Sequence, residues 1–183
     1  LWAKIVHHFS PSDPSSLKMR IHSGGSRWSA TVFDRHVNIL RGTLETMAAA
    51  LGGADSITTH PFDIATGDTT ELSRRIALNT SMLLADEAGI ARVLDPAGGS
   101  EYIETLTEEL AKSAWEKFQV IESRGGMLSS IIDGHVQSEV AREYKERKRE
   151  ISKRREVFLG TSKYPDPTET GNARGAATGE AES

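Results

Sequence analysis

The chain of 183 residues contains no cysteine, which excludes disulfides, thiolate metal sites and a cysteine nucleophile together. It has no basic excess either: 22 Lys and Arg stand against 26 Asp and Glu, a net charge of -4. That argues against a surface built to track nucleic-acid phosphates. No apolar run approaches the roughly 20 residues that span a bilayer. No basic-then-apolar leader opens the sequence, so the expected location is cytoplasmic. Gly-Gly pairs occur at 24–25, 52–53, 98–99 and 125–126, but none forms GxGxxG or a Walker A loop, and nucleotide binding has no support. No metal-ligating set stands out. His7 and His8 are adjacent on a helical segment, where neighbouring side chains diverge, and read as an exposed helix end.

What is present suits a globular domain: 37% hydrophobic and 26% charged residues, in a chain long enough to bury a core. Residues 1–9 read as the end of a helix, stopped by the turn-forming SPSDPSS that follows. The sequence starts at Leu1 within that helix, as a fragment would. Residues 17–23 alternate Leu17, Met19 and Ile21 with Lys18, Arg20 and His22, which is strand period. After a Gly/Ser-rich loop, Val37, Leu40, Leu44, Met47 and Leu51 recur at helical spacing, stopped by Gly52-Gly53. Residues 54–60, closed by Pro61, read as a second strand. Helices are expected at 71–88, with Thr69 or Thr70 as cap, at 101–124, at 127–132 and at 139–156, the last carrying favourable Glu143–Arg147 and Glu150–Arg154 pairs. Residues 157–159 read as a short strand or extended arm. Residues 168–183 lack large apolar side chains and are expected to be disordered.

Strand, helix, strand, helix is the order of an α/β fold with parallel strands. Two strands cannot close a sheet, because both edges stay unpaired, and a (β/α)8 barrel needs about 250 residues. The expected fold is therefore the C-terminal part of a (β/α)8 TIM-type barrel followed by a helical linker: barrel over 1–135, charged helix and arm over 136–167, tail over 168–183. Such a piece requires its N-terminal half or a partner. His22 and His60 fall at the ends of the two strand segments, where a β/α barrel carries its site. They can face a ligand or merely solvate the rim. Asp133-Gly134-His135-Val136-Gln137-Ser138 falls one residue short of DxHxxG and reads as a loop between helices. Asn79-Thr80-Ser81 lies inside a helix and is discounted as a glycosylation site.

Several stretches together resemble the barrel domain of the methylmalonyl-CoA mutase family. They are Arg20-Ile21-His22 with Trp28-Ser29, Asp34 with Val37-Asn38-Ile39-Leu40-Arg41, and AAALGGADS at 48–56. Pro61-Phe62-Asp63, Arg74-Arg75-Ile76-Ala77-Leu78-Asn79-Thr80, RVLDPAGGS at 92–100, and Tyr102 with Glu104-Thr105-Leu106-Thr107 follow in order. The resemblance implies an acyl-CoA threaded along a barrel axis. It implies adenosylcobalamin across the mouth, bound by the assembled complex, since this chain lacks the cobalamin domain. Arg20, His22, His60 and Asp63 become substrate- or cofactor-facing candidates, with no catalytic residue and no metal ligand among them.

Departures from the family pattern refine the expectation. Where catalytic members place a glutamine in the loop after the first strand, this chain has Gly24. The asparagine and glutamate expected at the next strand end are His60 and Ile64. Val37–Thr43, Pro61-Phe62-Asp63 and the tail Gly160-Thr161-Ser162-Lys163-Tyr164-Pro165 are more similar to the small, non-catalytic subunit of heterodimeric mutases. The implied role is the small subunit of an isomerase that interconverts methylmalonyl-CoA and succinyl-CoA, inactive alone and paired with a catalytic large subunit. The alternatives are a catalytic mutase for another acyl-CoA and a structural or regulatory module that binds a partner.

Overall fold

The computed structural model describes residues 1–168; the expectation for the tail lies, Thr168 apart, outside them. The chain divides into two compact units. One joins Leu1–Met19 to Gly98–Val157, and the other joins Arg20–Ala97 to the stretch beginning at Phe158.

In the first unit, helix α1 (Trp2–His8) is followed by a 3-10 turn at Pro14–Leu17. Asp13 caps that turn through the Ser15 N–H, and the Trp2 indole donates to the Ser16 carbonyl at 3.0 Å. The Lys4 ammonium sits 4.0 Å from the centre of the Trp115 ring. Helices α4 (Glu101–Ser123), α5 (Gly126–Ile132) and α6 (His135–Ser152) follow one another. Left-handed Gly125 and Gly134 break the chain between them, a conformation that glycine adopts without strain. Helix α6 starts four residues before the charged pattern implies. The Asp133 carboxylate takes the His135 N–H at 2.9 Å and supplies the start signal. That bond, with the Arg124 guanidinium behind it, holds Asp133 below the ordinary carboxylate range.

The second unit contains the only regular strands among the described residues. β1 (His22–Gly24) and β2 (Ser56–Thr58) pair in parallel, with His22 opposite Ser56, Ser23 opposite Ile57 and Gly24 opposite Thr58. β1 leads to α2 (Val37–Leu51) and β2 to α3 (Glu71–Asp86), so the parallel strand–helix order expected from the sequence is present. Both strands are shorter than the segments 17–23 and 54–60 read as strands. The N–H of Ile21 bonds the Asp55 carboxylate at 2.7 Å rather than a strand backbone, and Pro61, which has no N–H, follows close after β2. Alternation marks extended chain, but a ladder needs a partner for every rung.

α3 begins where expected, with the Thr70 hydroxyl accepting the Ser73 N–H at 3.1 Å. The buried faces of both helices are mostly polar or small: Asn38 and Thr46 on α2; Ser73, Ala77 and Thr80 on α3, with Leu84 the larger exception. The apolar stripe of α2 points outward instead, with Leu40 and Leu44 about two-thirds exposed (65% and 66%), and Leu72, Leu78 and Met82 on α3 are exposed as well. Only Phe62, Ala77 and Leu84 are buried apolar residues among those described. Hydroxyls fill the contact between the elements. Thr46 meets Thr59 at 2.7 Å, and Thr59 meets Ser81 at 3.2 Å.

Of residues 157–159, expected as a short strand or extended arm, Phe158 and Leu159 enter a tight turn with an isolated parallel bridge between Leu159 and Lys163. No helix among the described residues is long and apolar enough to cross a membrane.

Candidate functional site

The carboxyl ends of β1 and β2 open into two loops, and a polar cluster forms between them. After β1, Gly25 donates its N–H to the Thr58 carbonyl at 3.2 Å, continuing the pairing past the strand. Glu45 reaches up from α2 and accepts the Ser26 N–H at 3.1 Å and the Ser29 hydroxyl. A Cβ on Gly25 would lie 2.8 Å from Glu45 Oε2 and 3.1 Å from His60 Cδ2. The loop backbone, the Glu45 carboxylate and the His60 imidazole therefore pack against one another, and a side chain at 25 would require Glu45 to shift. At Gly24, by contrast, a Cβ would meet nothing within 4 Å.

Beneath this cluster lies a second network centred on Asn38. Its amide nitrogen donates to the Thr31 and Phe62 carbonyls, each at 2.8 Å. Its oxygen accepts the Thr31 N–H at 3.0 Å and Arg41 Nη1 at 2.8 Å. Burial lowers the Arg41 pKa, while the charges of Asp34 and Glu45 act in the opposite direction. One side chain thus ties the loop before α2 to the loop after β2.

The four candidate residues fall in different places. Arg20 is exposed ahead of β1, away from the strands' carboxyl ends. His22 opens β1 on the exposed face of the sheet, with Nδ1 2.8 Å from Ser56 Oγ and Nε2 3.3 Å from Thr58 Oγ1. His60 is half-buried two residues beyond β2, against Gly25. Asp63, 1% exposed, faces inward. Its Oδ2 accepts the Thr70 N–H at 2.9 Å and hydroxyl at 3.0 Å, while Oδ1, equally buried, accepts none. The structure brings His60 to the polar cluster and leaves the other three apart from it. Glu45, Asn38 and Arg41 did not emerge as candidates from the sequence. Their spacing on α2, i, i+3 and i+7, was the available signal: three polar residues on one helical face.

Asp63 has a pH consequence. Burial alone would raise its pKa. The Ser73 hydroxyl nearby, whose own proton goes to the Thr70 carbonyl, and the Thr70 N–H and hydroxyl, which bond Oδ2, together bring it below the ordinary 3.8. A carboxyl depressed on folding contributes stability that is present above its unfolded value and lost as pH falls through the lower folded value. Asp63→Asn is expected to destabilise the fold at pH 7 by about 2 kcal/mol, the scale of hydrogen bonds to a charged group. The gap to the parent should close as pH falls below 3.8. Thermal melts of both proteins across that range check it, and a gap constant with pH would refute the assignment.

The chain is a helix-rich α/β protein whose polar cluster stands at the carboxyl ends of two parallel strands. A family model described as methylmalonyl-CoA mutase matches residues 1–178, and the chain belongs to the methylmalonyl-CoA mutase family. It is 41% identical, over 92% of its length, to the methylmalonyl-CoA mutase small subunit of Porphyromonas gingivalis. It is 40% identical over 90% of its length to the large subunit of Propionibacterium freudenreichii, and 38% identical over the same share to a methylmalonyl-CoA mutase of Cereibacter sphaeroides. The chain spans about a quarter of the length of these curated relatives, 28%, 22% and 23% respectively.

Proposed function

We propose that this chain forms the C-terminal half of the (β/α)8 barrel, over residues 1–135, with the charged helix and arm at 136–167, of a non-catalytic, small-subunit-type component of a cytoplasmic methylmalonyl-CoA mutase. The assembly would be an isomerase that interconverts methylmalonyl-CoA and succinyl-CoA, with a catalytic large subunit as partner. The apolar side chains that α2 and α3 leave exposed support a place in a larger assembly, because the rest of the barrel or a partner would cover them. The face of the sheet that carries His22, Ser56 and Thr58 is exposed and polar, as a barrel wall lining an acyl-CoA path would be.

The observation that carries the non-catalytic role is the chemistry of the strand ends. Adenosylcobalamin, when bound to the assembly, supplies radical chemistry, and the protein's share is to orient it. The donor set here does not fit an adenosyl group. Gly24 presents no side chain and borders open space, Ile64 is a hydrocarbon, and the nearby carboxylate of Glu45 is taken by Ser26 and Ser29. No step of the rearrangement is assigned to this chain. Its contribution is to complete and support the fold of the assembly.

A competing reading is a catalytic mutase for a different acyl chain, favoured by the nearly equal identity to a large subunit. The complete polypeptide containing this chain, assayed for mutase turnover with adenosylcobalamin, is expected to be inactive alone and to support activity when mixed with a catalytic large subunit. Turnover by the isolated polypeptide at the rate of the pair would decide for the competing reading.

A further inference from the structure

The stretch after Phe158 returns to the second unit and folds there into a closed turn. The Phe158 carbonyl accepts three N–H groups, from Thr161 at 3.2 Å, Ser162 at 2.8 Å and Lys163 at 3.3 Å, and the Gly160 N–H donates to the Lys163 carbonyl at 2.8 Å. The Phe158 N–H is taken by the Ser162 hydroxyl at 2.9 Å. This turn is docked as well as closed. Arg41 Nη2 donates to the Leu159 carbonyl at 2.6 Å, across 118 residues of chain, and the guanidinium stands 5.9 Å from the centre of the Phe158 ring. Gly160 is buried, with φ +79°, and a Cβ there would lie 2.6 Å from Asp34 Oδ2 and 2.7 Å from its Cβ. The backbone therefore presses directly onto Asp34, and glycine is required twice, for its dihedral angle and for its lack of a side chain.

We propose that residues 158–163 act as a clasp: docked on Arg41 and Asp34, they hold the loop at 31–38 in place and so set the conformation of the polar cluster at the strand ends. The physical route is short. The guanidinium that holds Leu159 also donates to Thr31 Oγ1 at 3.0 Å and to Asn38 Oδ1 at 2.8 Å. Asn38 in turn holds the Phe62 carbonyl, two residues from His60. Glu45 lies one helical turn beyond Arg41, within reach of its charge, and fixes Ser26 and Ser29 in the other loop. The two terminal nitrogens of the planar guanidinium serve different segments, Nη1 bonding Thr31 and Asn38 and Nη2 bonding Leu159, an arrangement that a lysine ammonium cannot reproduce. When the clasp lifts, Arg41 loses the contact that orients its fork. The loops at 26–38 and 60–63 then lose a common anchor, and the strand ends convert from a rigid to a mobile rim.

Hydrogen exchange on the full chain tests this. Gly160→Ala is expected to speed exchange about tenfold at 158–163, as a side chain forced into the left-handed region does. A comparable rise is expected at the Thr31 and Ser26 amides, which bond Asn38 and Glu45, with the amides of α3 unchanged. If Gly160→Ala unfolds the whole unit, Ser162→Ala decides, because it removes the hydroxyl that takes the Phe158 N–H and leaves Arg41 untouched: the same paired rise at 158–163 and at Thr31 supports the clasp. Faster exchange at 158–163 alone, or no change at either place, in the variant that stays folded would overturn it.

Discussion

Asn38→Leu is expected to cost the second unit about 4 kcal/mol and to lower its melting temperature by roughly 20 °C. Leucine matches asparagine in size and preserves the helix, so the loss comes from the partners left behind. The Thr31 N–H and carbonyl, the Phe62 carbonyl and Arg41 Nη1 would all lose their Asn38 partner around a residue only 6% exposed. An unsatisfied buried polar group costs about 1–3 kcal/mol, and domains are stable by only about 5–15 kcal/mol. Asn38→Asp should fall between parent and leucine variant, since it keeps the acceptor for Thr31 and Arg41 but cannot donate to Phe62. Thermal unfolding followed by circular dichroism measures the series; a shift for Asn38→Leu below about 5 °C would mean that the network is dispensable.

The second large effect concerns catalysis. Grafting residues 20–64 of this chain into the corresponding stretch of the Propionibacterium freudenreichii large subunit, a 40% identical relative, is expected to lower mutase kcat at least about a hundredfold. Misplacing a reacting group by about 1 Å has that cost, and the graft brings in Gly24, His60 and Ile64 where the family resemblance implies glutamine, asparagine and glutamate in catalytic members. Restoring them within the graft by Gly24→Gln, His60→Asn and Ile64→Glu should recover at least tenfold of the loss, on the order of one well-placed interaction. Wild-type turnover in the unrestored graft would show that these positions do not decide catalytic competence. A graft that stays inactive after restoration would place the defect in packing.

Much of the local structure was legible because it rests on local rules. Thr70 could be read as a cap because its hydroxyl serves an N–H three residues away. The end of α2 could be read from Gly52-Gly53, and the parallel pairing of β1 with β2 from two strand–helix repeats. Orientation was less legible. Leu40 and Leu44 gave α2 its periodicity, yet the helix turns Asn38 and Thr46 inward. Hydrophobic spacing locates a stripe without saying what covers it. Glu45 was invisible as a site residue because its partners, Ser26 and Ser29, lie 19 and 16 residues away. The docking of Gly160 on Asp34 depends on contact across more than a hundred residues, which no window of sequence contains. The strand-end position of His60 was legible, whereas Asp63, three residues on, turns inward to serve Thr70.

The outward stripes of α2 and α3 also bear on how the chain's stability responds to concentration. With Leu40, Leu44, Leu72, Leu78 and Met82 exposed and three apolar side chains buried among the described residues, much of the favourable transfer of hydrocarbon out of water is still unrealised in this fold. Whatever covers those stripes binds the folded form and not the unfolded one, so it stabilises by mass action, about 2.7 kcal/mol when present at a hundred times its dissociation constant. The melting temperature should therefore rise with the concentration of the covering surface. In a cell that makes the cover and this chain in unequal amounts, the surplus chain would be the population that chaperones and proteases remove.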